Sequence, residues 1–124
     1  MTAILSPHLS VERGEGITIA RLRDREIQDV FGEGGNLRAI AEELRRLVED
    51  GGAASLLVDL SDVEFMCTAM LGELLRLKKR VEEVRGQLIL CGLVAPLVRE
   101  VFRITCLDRH FEIVDAAWVA LARS

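Results

Sequence analysis

Residues 56–75 constrain the fold of this chain more than any other stretch. They read LLVDLSDVEFMCTAMLGELL, which begins as an apolar run, passes through two aspartates and changes after Phe65 into helical spacing. A continuous apolar run is typical of a strand that is buried on both faces of a sheet. The stretch therefore predicts a buried strand, a short loop, and a helix whose start includes Cys67 and Thr68. Helix N-termini leave unpaired N–H groups and a partial positive charge, which stabilise a phosphate or a reactive thiolate.

Strands and helices alternate along the rest of the chain. Alternating or continuous apolar runs predict strands, and apolar residues at i, i+3, i+4 spacing predict helices. Asn36 is predicted to cap the first helix, and residues 24–35 before it are predicted to be a connection with one helical turn. The predicted strands are residues 8–13, 17–22, 55–60, 87–91 and 111–114, and the predicted helices are residues 36–50, 67–84, 96–104 and 116–122.

The order of these elements, β-β-α-β-α-β-α-β-α, predicts an α/β fold. Two hairpin strands followed by alternating helices and strands indicate a mixed sheet that is mostly parallel in its second half. We expect a single domain at residues 10–122, in which about five strands pack against about four helices. Residues 1–9 are expected to form a loosely held N-terminal lead-in.

Composition limits the partners that such a domain can have. The 124 residues are 50% hydrophobic and 29% charged, which is the balance of a globular protein. The net charge of −4 argues against nucleic acid, because phosphate contacts need clustered Lys and Arg. No apolar run reaches the roughly 18 residues of a membrane-spanning helix. We therefore expect a cytoplasmic domain whose partners are neither nucleic acid nor membrane.

Residue types that commonly carry chemistry are few. The cysteines lack CxxC spacing and the two histidines do not complete a ligand pattern, so we expect no metal and no cofactor. Asp59 and Asp62 lie three residues apart at the end of a predicted strand. No His or Lys of evident purpose joins them, so we expect Asp62 to begin a turn and Asp59 to accept hydrogen bonds from loop N–H groups. The chain is accordingly not expected to be an enzyme.

Three separated motifs resemble those of one family. They are VDLSDVEF at residues 58–65, CTAMLG at residues 67–72 and LDRHF at residues 107–111. The family patterns are Asp-x-Ser/Asn-x-Val-x-Phe, then Asp-Ser-Ser-Gly-Leu-Gly at the opening of a helix, then Leu-Asp-x-x-Phe. The chain resembles a STAS domain of the anti-sigma factor antagonist type over roughly residues 10–122.

The resemblance implies a regulator that another protein modifies. In such antagonists, a kinase that is also the anti-sigma factor phosphorylates the hydroxyl just after the family's aspartate. The unphosphorylated form binds this kinase and frees a sigma factor. The matching hydroxyl here is that of Thr68, where a phosphate would add about −1.5 to −2 charges. The predicted partner-binding surface consists of Met66, Cys67, Thr68, Ala69, Met70 and Gly72.

Differences from the family pattern leave other functions open. Cys67 replaces the family's aspartate and Met70 replaces its glycine, which favours a constitutive STAS scaffold or oligomerisation module with a degenerate phosphosite. Thr68 would then serve only as a helix cap. A helix N-terminus also favours the thiolate form of a cysteine, so a thiol sensor at Cys67 is a third hypothesis. The sequence leaves open whether the chain forms a homodimer.

Overall fold

The fold is organised around one large sheet. The computed structural model describes residues 2–14, 16–29, 35–49 and 55–115, with side chains from residue 6 onward. The strands are β1 (Thr2–Leu5), β2 (Leu9–Arg13), β3 (Ile17–Leu22), β4 (Glu26–Ile27), β5 (Ser55–Asp59), β6 (Phe65–Met66), β7 (Gln87–Cys91) and β8 (Glu112–Val114). The helices are α1 (Leu37–Glu49), α2 (Thr68–Glu83) and α3 (Pro96–Ile104), with a short 3-10 helix at Leu107–His110.

The large sheet has six strands in the order β1-β2-β3-β5-β7-β8. The pairs β1–β2 and β2–β3 are antiparallel, and the pairs β3–β5, β5–β7 and β7–β8 are parallel. The predicted α/β class with a mixed, mostly parallel sheet is therefore confirmed. Because parallel strands place their carboxyl ends at one edge, the loops that follow β5 and β7 meet at that edge with the start of α2.

The two ends of the chain differ from the prediction in different ways. Within the predicted lead-in of residues 1–9, Thr2–Leu5 are not loosely held, because they form β1, which pairs with β2 in the register Ile4↔Val11. The helix predicted at residues 116–122 lies outside the described residues, which contain three α-helices. The domain limits of 10 and 122 stay a prediction.

The main core lies between the sheet and the helices. Leu44 of α1, Leu74 of α2 and Phe102 of α3 are buried there against Val58 and Leu90 of the central strands. Burying one such side chain contributes about 1.5–3 kcal/mol. Side chains alternate across a strand, so the neighbouring residues point to the other face. That face carries a smaller buried cluster of Ile19, Leu57, Ile89 and Cys91.

A second, two-stranded sheet lies beside the start of α2. Its strands β4 and β6 are parallel, with Glu26 opposite Phe65 and Ile27 opposite Met66. The sequence predicts only a connection before α1, because two residues are too few to show strand periodicity. This small sheet joins that connection to the loop that leads into α2.

Candidate partner-binding site

The carboxylate of Asp59 holds the turn that follows β5. Its Oδ1 accepts a hydrogen bond from the backbone N–H of Ser61 at 2.9 Å and another from the Ser61 hydroxyl. Asp59 is 7% exposed, and a buried carboxylate requires such partners. The predicted role of Asp59 is confirmed. Asp62 is exposed instead and forms an ion pair with Arg21 at 3.5 Å, so the two aspartates have separate structural roles.

The loop that follows β7 lies directly against this turn. The N–H of Leu60 donates to the carbonyl of Cys91 at 2.9 Å. Gly92 has a φ of 74°, in the left-handed region that favours glycine, and its carbonyl accepts the N–H of Val94 at 2.8 Å. The loops after β5 and β7 therefore form one packed unit at the edge of the sheet.

Backbone hydrogen bonds to the β4 segment fix the start of α2. The carbonyl of Arg25 accepts the N–H groups of Glu64 and Phe65 at 2.7 and 3.1 Å. The carbonyl of Ile27 accepts the N–H of Cys67 at 3.0 Å. The residue that precedes Thr68 is thus held in place by a strand that lies about 40 residues earlier in the chain.

The side chain of Asn36 holds the β4 segment in turn. Its Oδ1 accepts the N–H of Gln28 at 2.8 Å, and its Nδ2 donates to the Glu26 carbonyl at 2.7 Å and to Asp24 Oδ2 at 2.8 Å. His8 Nδ1 lies 2.8 Å from the other oxygen of Asp24. The predicted capping role of the Asn36 side chain is wrong, because these loop groups use its oxygen and nitrogen.

Thr68 is the first residue of α2, and the N-cap is Cys67 with φ −73° and ψ 158°. The alternative in which Thr68 caps the helix is therefore wrong. Thr68 is exposed, and its hydroxyl has no hydrogen bond to any group in the described ranges. The first turn of α2 contains no acidic residue. A phosphate on this hydroxyl would meet the positive end of the helix dipole without a competing carboxylate in that turn.

Part of the predicted partner-binding surface is buried. Met66 and Met70 are 1% and 0% exposed, because both side chains belong to the main core. Their prediction as partner-facing residues is wrong. Cys67 is half-buried against the same core, and its side chain makes no capping hydrogen bond. The predicted residues that reach solvent are Cys67, Thr68, Ala69 and Gly72.

A groove between α1 and α2, here called the α1–α2 groove, includes two of these residues. Ala69 and Gly72 line it from α2, Leu37 and Arg38 line it from α1, and its volume is about 1110 Å³. Gly72 follows Thr68 by four residues, so both lie on one face of α2. Sequence reasoning missed the contribution of α1. The available signal was the charged face of that helix, formed by Arg38, Glu42 and Arg45.

Ion pairs hold most of the charged side chains along the groove. Arg45 lies 2.6 Å from Glu42 and 2.9 Å from Glu49, and Arg76 lies 2.6 Å from Glu73. The hydrogen bond from Arg45 lowers the pKa of Glu42 below its ordinary value and raises the pKa of Arg45. These pairs are open to solvent, so each contributes little to stability. The ion pairs nevertheless set the positions of these charged side chains along the groove.

Metal-binding clusters and membrane-spanning helices are absent from the described part of the chain. No three His, Cys, Asp or Glu side chains within it come close enough together to hold a metal ion. None of its helices is long and apolar enough to cross a membrane. None of the three cysteines forms a disulfide within the described residues, and Cys91 is buried while Cys106 is exposed.

Comparison with protein-family models decides the family. The STAS domain model matches residues 34–118. The chain belongs to the STAS domain family. The matched STAS residues include α1, α2 and the loop between β5 and α2, so they contain both helices of the α1–α2 groove and Thr68. The resemblance seen in the three sequence motifs is confirmed.

Similar STAS proteins are anti-sigma factor antagonists. BtrV of Bordetella bronchiseptica, whose name describes it as one, is 31% identical over 114 residues, covering 92% of this chain and 91% of BtrV. The unphosphorylated anti-sigma factor antagonist SpoIIAA matches with a TM-score of 0.72 at 21% identity, over 93% of this chain and 94% of that one. The phosphorylated form of SpoIIAA from Bacillus matches with a TM-score of 0.65 at 20% identity, over 93% and 97%. The solved structures confirm the fold, and the relative makes this chain an anti-sigma factor antagonist-like STAS domain.

Proposed function

We propose that this STAS domain is a non-enzymatic partner-switching regulator. It binds a serine/threonine kinase of the anti-sigma type through the exposed start of α2, and phosphorylation of Thr68 switches this binding. The observation that carries the proposal is the exposed Thr68 hydroxyl, which no group of the described residues engages. A hydroxyl kept at the surface without a structural partner is available to a kinase.

The rigid surroundings of Thr68 support a switch that acts through charge. The β4–β6 pair and the hydrogen bond from Cys67 to the Ile27 carbonyl hold the start of α2, and the Asp59 turn lies in the loop that leads to it. A phosphate of about −1.5 to −2 charges would therefore project from a fixed position. In the unphosphorylated form, the small side chains of Ala69 and Gly72 leave the same surface open for close contact with the partner.

The replacement of the family's glycine by Met70 is compatible with this function. Met70 is fully buried, so its bulk fills the core and does not cover the surface beside Thr68. The names of the similar proteins support the same conclusion, because BtrV is described as an anti-sigma factor antagonist and SpoIIAA has been solved with and without phosphate. The signal-dependent partner of this chain would then be a protein.

Phosphorylation by the kinase provides the test. The protein is incubated with ATP and a serine/threonine kinase of the anti-sigma type from the same organism, and its intact mass is measured. We expect a gain of one phosphate in the wild type and in Thr68→Ser, which keeps a hydroxyl, and no gain in Thr68→Ala. No gain in the wild type, or a gain that persists in Thr68→Ala, would overturn the switch.

A constitutive STAS scaffold is the second candidate function. Cys67 in place of the family's aspartate is the observation that favours it, since a carboxylate beside the acceptor has been lost. A scaffold would bind its partner equally well as wild type and as Thr68→Asp, in which a carboxylate stands at the acceptor position. A regulator would bind less tightly as Thr68→Asp, and a pull-down with light scattering separates the two.

A further inference from the structure

The hydroxyl of Thr18 is the one buried polar side-chain atom of the described residues that has no hydrogen-bond partner. Thr18 is 2% exposed and lies on the face of β3 that points toward the helices, because its neighbour Ile19 belongs to the smaller cluster on the other face. An unpaired hydroxyl in a core costs stability, and a valine of the same shape would avoid that cost. A hydrogen-bonding group from another molecule would explain why a hydroxyl stands there.

A small recess lies at Thr18, between the sheet and the last turns of α1 and α2. Apart from Thr18, it is lined by Ser55 and by five apolar residues, which are Leu47, Val48, Leu56, Val81 and Val84. Its volume is about 10 Å³, which is room for one water-sized group such as a hydroxyl or a carbonyl oxygen. Mostly apolar walls are unfavourable for a lone water, which needs two to four polar partners.

The recess adjoins a larger cleft at the surface, here called the α2 C-terminal cleft. Val48 and Val84 line both, and the volume of the cleft is about 250 Å³. Val84 is the C-cap of α2 and is 56% exposed although its side chain is apolar. A molecule held in the α2 C-terminal cleft can therefore rest on apolar surface and extend a terminal group into the recess.

The charges around the α2 C-terminal cleft are balanced. Arg45 and Arg80 line it together with Glu49 and Glu83, and Glu49 lies 2.9 Å from Arg45 and 3.3 Å from Arg80. Two cations beside two carboxylates favour neither an acidic nor a basic occupant. The cleft therefore suits an uncharged molecule.

We propose that the recess and the α2 C-terminal cleft bind a small uncharged molecule with an apolar body and a terminal hydroxyl or carbonyl oxygen. The body lies against Val48 and Val84, and the terminal oxygen enters the recess and forms a hydrogen bond with Thr18 Oγ1. The Thr18 hydroxyl can donate to either kind of oxygen. Thr68 stands at the other end of α2, roughly 24 Å away along the helix axis, so this site is separate from the proposed phosphorylation.

A titration of the protein with 1-hexanol, followed by NMR of its methyl groups, tests the inference. This probe has an uncharged apolar chain and one terminal hydroxyl. We expect saturable chemical-shift changes at the methyl groups of Thr18, Val48, Val81 and Val84. Thr18→Val removes the hydroxyl and keeps the shape of the side chain, and Val84→Ser removes apolar surface from the cleft. Each should weaken binding of 1-hexanol by about threefold or more, because each removes one of the two kinds of contact.

A matched variant and a stability measurement control the comparison. Val94 is 58% exposed, much as Val84 is, but lies in the loop after β7 outside the cleft, so Val94→Ser should change the affinity by less than about twofold. Thr18→Val should unfold at no lower temperature than the wild type, so its weaker binding would not reflect unfolding. Shift changes that do not saturate would overturn the site. Equal affinity of Thr18→Val and the wild type would also overturn it, and is the result expected if the recess holds only a water.

Discussion

Gly92 lies so close to Asp59 that a side chain cannot be accommodated between them. A Cβ atom at Gly92 would stand 2.5 Å from Oδ1 of Asp59 and 2.4 Å from Oγ of Ser61. The glycine also has a positive φ of 74°. The contact joins the loop after β7 to the turn that leads toward Thr68, so the site depends on a residue that is 24 positions away in the sequence.

Gly92→Ala should therefore destabilise the fold strongly. The left-handed backbone and the steric overlap together cost about 2–4 kcal/mol in the free energy of unfolding. Gly16→Ala is the matched control, because Gly16 has a φ of 73° but no atom within 4 Å of an added Cβ. It should lose only about 1 kcal/mol. Equal losses in urea unfolding would show that the contact with Asp59 is unimportant.

Thr18→Val should stabilise the protein. The Oγ1 of Thr18 is buried and has no hydrogen-bond partner, and the residue is 2% exposed. Valine keeps the shape and removes the unpaired hydroxyl, so the gain is about 1 kcal/mol. In Thr105→Val, the lost hydroxyl donates to the Val101 carbonyl at 2.7 Å, and stability should fall. A loss of stability in Thr18→Val would contradict the assignment of an unpaired hydroxyl.

Asn36 offers a test of how the β4 segment is held. Asn36→Ala removes the side-chain bonds to Gln28, Glu26 and Asp24, and should cost about 1–3 kcal/mol in the free energy of unfolding. Asn36→Ser introduces a side chain that caps helices well but cannot make all three bonds. It should therefore be nearly as destabilised as Asn36→Ala. Recovery of wild-type stability by serine would show that capping is the main role.

Acid should weaken the ion pair between Glu42 and Arg45 in the α1–α2 groove. The pKa of Glu42 is lowered by its hydrogen bond with Arg45, so the folded state binds this proton less readily than the unfolded state. The resulting stability is present above the ordinary Glu pKa of 4.5 and is lost as the pH falls through the lower folded value. In urea unfolding, Glu42→Gln should show a smaller acid-induced loss than the wild type. An identical loss would contradict the prediction.

The sequence predicts most of the large sheet and its helices because their signals are local. Continuous apolar runs mark β5 and β7, and helical spacing marks α1 and α2. The two-residue strands β4 and β6 carry no period, so their pairing depends on tertiary contacts. Asn36 shows the same limit. An asparagine before a helix can cap that helix, or it can form hydrogen bonds with a loop that only the folded chain brings near it. The sequence does not distinguish the two.

The site is predicted in part for a related reason. Thr68 follows from its place in a motif, and its exposure agrees with that assignment. Met66 lies just before this motif and Met70 lies within it, but both side chains face the core. Which side of a two-residue strand or of a helix start is buried depends on the residues that pack against it. The α1–α2 groove involves residues about 30 positions apart, and no local pattern joins them.

The most direct test compares the affinity of the kinase for two forms of the same protein. One form is fully phosphorylated on Thr68 and the other is unphosphorylated, and both are titrated under the same salt conditions. A regulator switched at Thr68 predicts tight binding of the unphosphorylated form and binding at least about tenfold weaker after phosphorylation. Equal affinity for both forms would contradict the switch.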